Sequence, residues 1–250
     1  MFRWILVSLV AAMFCGAAQA GQEFTLMANT SPPYADEKLP EQGLALELVK
    51  TVFAQTGFTP KITIESWSRA LEGTEVDVYD ALASVWYSKE REQDLLFSKP
   101  YLRSQLLILT SRSNRGQYVS LEQLAGSRLG IRTDYAYGVD LAAIPDLTLV
   151  QEEQLVSNLL NLLDGKVDFV IADQRTAAMQ LHEYFSDKIT QFRVVDIALP
   201  PVERHVAASR AWPEGESMIA EFNRALEAAQ KDGSLQAIIK KWDERYGGIE

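Results

Sequence analysis

The chain has almost no cysteine. Of its 250 residues only Cys15 carries a thiol, and it lies within the first 20 positions. Residues 21–250 therefore cannot hold a disulfide framework, a thiolate nucleophile or a cysteine-ligated metal. Histidine is nearly as scarce. His182 and His205 are the only two, too few for a multi-histidine zinc site, and neither stands in a ligand-spaced motif. Both read as surface or lobe-edge residues, and no metal or cofactor is expected. Positive charge is short as well. The 24 basic residues include Arg3, so residues 21–250 hold 23 against 34 acidic ones, a net charge of −11. That balance argues against nucleic acid or an anionic membrane surface as a partner. It leaves room for local anion binding, because one arginine in a pocket outweighs diffuse distant charge. Beyond the N-terminus no apolar run reaches membrane-spanning length, and there are no internal repeats or low-complexity tracts.

What is present begins with a leader. Arg3 supplies a positive start, Trp4–Phe14 an apolar stretch, and Ala18-Gln19-Ala20 a small-x-small cleavage site. Residues 1–20 are expected to be a signal peptide cleaved after Ala20, which places a mature chain starting at Gly21 in the periplasm. Acylation at Cys15 is the competing reading, but Ala12-Met13-Phe14 lacks the small residues expected before a lipidated cysteine.

The next segments alternate strand and helix. Phe24–Ala28 reads as a strand, followed at once by the Ser31-Pro32-Pro33-Tyr34 turn. Gly43–Thr56 carries apolar residues at helical spacing and stops at Gly57. Pro60–Glu65 is strand-like, Ser68–Glu75 a short helix and Ala81–Val85 a buried strand. This βαβαβ series predicts a parallel α/β sheet with ligands at the carboxyl ends of its strands. A second series follows. It has strands at Leu106–Thr110, Arg128–Arg132, Leu147–Gln151, Val167–Ala172 and Val194–Leu199, and helices at Leu121–Leu124, Gln154–Leu163 and Gln174–Phe185. After Pro200-Pro201 come the run His205–Ser209 and helices over Glu216–Lys231 and Leu235–Arg245.

Arg91 stands out chemically. It lies seven residues before Ser98 in a Phe-Ser-Lys-Pro-Tyr turn. A guanidinium stays charged and holds a carboxylate through two parallel hydrogen bonds, a geometry lysine cannot copy. With this pattern come Lys89-Glu90-Arg91…Phe97-Ser98-x-Pro100-Tyr101, Leu121-Glu-x-Leu-Ala-Gly126…Leu129-Gly-Ile131, Gly165-Lys-Val-Asp168…Ala172-Asp173 and Lys231-Asp-Gly233…Lys241-Trp242. In this order the chain resembles the bacterial extracellular solute-binding proteins of family 3 over nearly all of Glu23–Gly247.

The resemblance implies a two-lobed α/β clamshell of the type II periplasmic binding protein kind. Residues 21–104 and 201–250 would form lobe 1 and residues 105–200 an inserted lobe 2, with crossovers at Arg103–Gln105 and Pro200–Arg204. It implies that Arg91 grips a ligand carboxylate, Ser84 assists, and Asp173 takes an ammonium group. Asp173 also reads as an N-cap. Trp67 and Tyr34 would wall the site. The family's usual pattern is departed from at Ser31, Ala28, Trp86 and Asp134-Tyr135-Ala136, where Trp86 and Tyr135 put rings into the cleft and a small-residue anion nest is lost. A cationic ligand is disfavoured. The function implied is a monomeric, non-enzymatic receptor feeding an amino acid or related carboxylate to an inner-membrane ABC permease. Two alternatives remain open: a cyclohexadienyl dehydratase-like enzyme on the same fold, and a ligand sensor for a membrane signalling protein.

Overall fold

The structure, a computed structural model, describes residues 21–76 and 78–246. The expected signal peptide, residues 1–20, lies outside them.

The chain opens with β1 (Gln22–Asn29), α1 (Leu44–Phe53), β2 (Phe58–Glu65), α2 (Trp67–Glu75) and β3 (Ala81–Trp86). Two short strands follow, β4 (Leu95–Phe97) and β5 (Leu102–Ser104). The middle of the chain forms β6 (Leu106–Ser111), β7 (Arg128–Arg132), β8 (Thr148–Glu152), α3 (Leu155–Leu163), β9 (Phe169–Asp173), α4 (Gln174–Tyr184) and β10 (Phe192–Val194). It then returns through β11 (Val202–Ser209) to α5 (Gly215–Lys231) and α6 (Ser234–Tyr246).

Two sheets result. The first runs β2-β1-β3-β11-β4, with β5 paired to the start of β11; the second runs β10-β6-β9-β7-β8. In each, the strands from the βαβ units are parallel, and those that arrive from the crossovers or close the unit are antiparallel. β3 and β9 are buried along their whole length, as expected of strands covered on both faces. Both segments between the sheets were expected to be linkers. Instead they pair as strands, Val202 opposite Ser104 and Arg204 opposite Leu102. β4 was also not anticipated, because its three residues are too few to show alternation. The run expected as a strand over Val194–Leu199 is strand only at Phe192–Val194.

The main core of the first lobe packs α1, α5 and α6 on β1 and β3. Leu46, Leu48, Val49, Val52 and Phe222 are fully shielded there, each contributing about 1.5–3 kcal/mol by leaving water. Glu47 holds α6 down by accepting from Trp242 Nε1 at 2.7 Å and pairing with Lys241. Gly43 shows why one glycine matters. Its φ is +113°, and a Cβ there would sit 2.4 Å from the Tyr34 carbonyl oxygen. That close approach lets Ala45 N donate to Tyr34 O and Leu44 N to Pro33 O, which pins the turn that carries Tyr34.

His182 is exposed, but His205 is not the surface residue expected. It sits inside β11, its Nδ1 2.7 Å from Ser98 O, with its ring on the edge of Phe97. Its flanks Arg204 and Val206 are buried too, so alternation gave no warning. Burial lowers its pKa below the ordinary 6.5, only partly opposed by the Ser98 carbonyl and Glu203. The unfolded chain therefore takes up this proton first as pH falls, and stability drops between about 6.5 and the lowered native value. His205→Gln should lose less melting temperature than wild type between pH 7.5 and 5.5; parallel curves would remove His205 from the acid response.

Candidate functional site

Four strand ends meet between the lobes. Asn29, Trp86, Arg132 and Asp173 are the last residues of β1, β3, β7 and β9, where open parallel sheets offer their crevice. With Trp67, Ser84, Arg91, Asp134, Tyr135, Ala136 and Arg204 they line a cleft whose outer part encloses about 250 Å³, partly open to solvent.

Arg91 opens a single helical turn just after β3. Its Nη1 donates to Trp86 O at 2.8 Å and its Nη2 crosses to the other lobe, to Asp134 O at 2.5 Å. Trp67, at the start of α2, lies under it with the guanidinium 4.9 Å from the ring, and donates its own Nε1 to the same Asp134 carbonyl at 3.1 Å. Burial lowers the Arg91 pKa despite Asp134 and Glu90, so this charge is less compensated than an ordinary surface arginine. Trp86 and Tyr135 form an edge-to-face pair at 5.0 Å, with Tyr137 joining at 5.8 Å from Trp86. The Trp86 indole N–H is buried and has no acceptor among the described residues.

The inner end is organised around Asp173. Tyr34 Oη lies 2.8 Å from each of its oxygens, and Thr176 N donates to one at 3.0 Å, so the N-cap role is realised. Burial, and next Asp173 itself, push the Tyr34 phenol up to about 12, so it remains a donor. The sequence reading missed Arg204, which comes from β11 and stacks 3.5 Å over Tyr34. It donates to Ser104 at 2.7 Å and Ser84 at 3.0 Å, and lies 3.7 Å from Asp173. Burial disfavours its charge, but Tyr34 and Asp173 more than restore it, leaving its pKa raised. Ser84 therefore serves Arg204 here. Arg132 and Asn29 were missed as well. Arg132 donates to Glu153 O at 3.0 Å and to Tyr135 Oη, which also accepts from Asn29 at 3.0 Å.

The structure thus brings together every residue singled out in the sequence: Arg91, Asp173, Ser84, Trp67, Tyr34, Trp86 and Tyr135. A signal for two of the missed ones existed, since Asn29 and Arg132 end strands of the parallel units, where ligands are expected. Arg204 had been placed at the end of a linker. Among the described residues no group of three or more His, Cys, Asp or Glu could hold a metal ion, and no helix is long and apolar enough to cross a membrane.

Two α/β lobes closed over a polar, ring-lined cleft define the periplasmic binding protein fold. The chain belongs to the bacterial extracellular solute-binding proteins, family 3, whose model matches residues 25–245. It is 26% identical over 259 aligned residues to the virulence sensor protein BvgS of Bordetella bronchiseptica, covering 97% of this chain and 20% of that protein. It is 26% identical over 230 residues to the L-cystine-binding protein TcyJ of Escherichia coli, covering 86% of this chain and 79% of that one. A solved double mutant of the VFT2 domain of Bordetella pertussis BvgS superposes with a TM-score of 0.72 at 22% identity, over 88% of this chain and 93% of that one.

Proposed function

We propose that this chain is a secreted, monomeric, non-catalytic receptor that closes on a small carboxylate-bearing solute, an amino acid or a close analogue, and presents it to an inner-membrane ABC permease. The observation that carries this is the Arg91 fork, which spans the cleft from one lobe to a backbone carbonyl of the other. A carboxylate oxygen is a stronger acceptor for a guanidinium than a neutral carbonyl, so a ligand carboxylate displaces Asp134 O from Arg91. Trp67, Trp86 and Tyr135 supply ring faces for the rest of the ligand. The moving joint is placed at the paired crossovers 103–105 and 200–204, which divide lobe 1 (21–104 and 201–250) from lobe 2 (105–200). Secretion is supported by the leader pattern of residues 1–20 and by the extracellular character of the family. The intact mass of the exported protein tests cleavage after Ala20.

The likeness to TcyJ supports the binding-protein reading, while the BvgS likeness keeps a sensor partner as the second reading. The enzyme alternative draws no support from Asp173, which acts as an acceptor toward Tyr34 and Thr176 and neighbours Arg204.

Ligand binding should stabilise the protein by mass action, about 2.7 kcal/mol at a hundredfold excess over Kd, or a melting rise of roughly 5–10 °C for a chain of this size. A screen of amino acids and related carboxylates that produces no shift would overturn the receptor reading.

A further inference from the structure

The structure assigns this cleft a ligand that carries no ammonium group: a small organic acid instead of an amino-acid zwitterion. This rests on the proposed reading that the solute binds against Arg91.

A zwitterion needs a carboxylate to receive its ammonium, because an unpaired buried charge is costly. Asp173 is the buried carboxylate at the cleft, 6% exposed, and the protein already supplies its cation. The Arg204 guanidinium lies 3.7 Å from it, stacked on Tyr34 and anchored by Ser84 and Ser104. Arginine cannot shed its charge to make way, so an incoming ammonium would be a second cation against one carboxylate. The other acidic residue lining the cleft, Asp134, is exposed, and its charge already acts on Arg91 while its backbone carbonyl accepts from Arg91 and Trp67.

The buried capacity left over at the cleft is mainly donor. The Trp86 indole N–H, in a residue 5% exposed, has no acceptor among the described residues, and an indole can only donate. Arg91 and Arg132 bond to neutral oxygens and form no ion pair among the described residues. Arg204 and Arg91 differ in the relevant way: the first has its charge restored by neighbours, the second does not. An anion rich in acceptors satisfies these groups, whereas a zwitterion also brings an ammonium to a site whose buried carboxylate already faces Arg204.

Matched pairs test this directly: glutamate against glutarate, and phenylalanine against 3-phenylpropanoate, by melting shift and then calorimetry on the wild-type protein. The acid without the amine should bind about tenfold tighter or more in the pair that binds. An amino acid that binds more tightly than its partner overturns the inference and leaves the receptor reading standing. If neither these pairs nor the broader screen shifts the melting temperature, the receptor reading falls and the inference with it. Arg204→Gln adds the cause. By freeing Asp173 it should move the preference toward the amino acid by about tenfold, and an unchanged ratio in the folded variant removes Arg204 as the reason. If that variant does not fold, the wild-type ratio alone decides.

Discussion

Arg91→Ala should weaken binding of the solute identified by screening by a factor of roughly thirty to several thousand. The range follows from the about 2–5 kcal/mol that truncating one partner of a buried, hydrogen-bonded charge pair costs. Part of that cost is the ligand carboxylate left in the cleft without its counter-charge. The carbonyls that Arg91 now contacts, Trp86 O and Asp134 O, cannot replace it, because they are acceptors themselves. Arg91→Lys should recover only a fraction, since an ammonium cannot make the paired fork and loses the planar stacking over Trp67. The melting temperature without added ligand should change little. Two hydrogen bonds are lost, but so is a charge whose pKa is already lowered by burial. Calorimetry on the three proteins decides. Affinities within threefold of one another would show that Arg91 is a bystander at the cleft wall and would remove the observation on which the receptor reading rests.

That Arg91 is legible in the sequence reflects the kind of information a sequence carries well. Helical spacing in α1 and the continuous apolar runs of β3 and β9 fix where the strand ends fall, and the strand-end rule then points at the crevice. Trp86 and Asp173 do end such strands, but it is the family resemblance that singles them out. What was not legible depends on contacts between distant segments. Arg204 belongs to a crossover whose strand character comes from pairing with residues 100 positions earlier, and its burial comes from Tyr34 and Trp86, remote in sequence. A single arginine after Pro-Pro-Val-Glu carries no local sign of this. His205 failed for a related reason: β11 is covered on both faces, so neither parity along it marks the surface. Ser84 lines the cleft with Arg91, and its hydroxyl also accepts from Arg204 Nη1 at 3.0 Å, a partner that nothing local in the sequence marks.

Asp173→Ala should loosen the closure of the lobes more than any other single change at the inner end of the cleft. The carboxylate does three things from one position: it caps α4 through Thr176 N, accepts from Tyr34 of the opposite lobe, and offsets the Arg204 charge. Losing the cap alone costs about 1 kcal/mol in any arrangement of the lobes. Removing one member of a buried pair while the other stays dry costs about 3–5 kcal/mol. The protein can escape the second cost by opening, which hydrates Arg204, so that energy should appear as a shift toward the open form. Small-angle scattering should accordingly show a larger radius of gyration for Asp173→Ala, and melting a drop of only about 2–4 °C from the cap. Asp173→Asn separates the contributions. It keeps an acceptor for Tyr34 and Thr176 but not the charge, so it should open the lobes while retaining most of the melting temperature. If both variants scatter as the wild type does, the 3.7 Å contact with Arg204 contributes nothing to closure, and the lobes are held by other contacts, among them the bonds of Arg91, Trp67 and Asn29 and the Arg175–Asp243 pair.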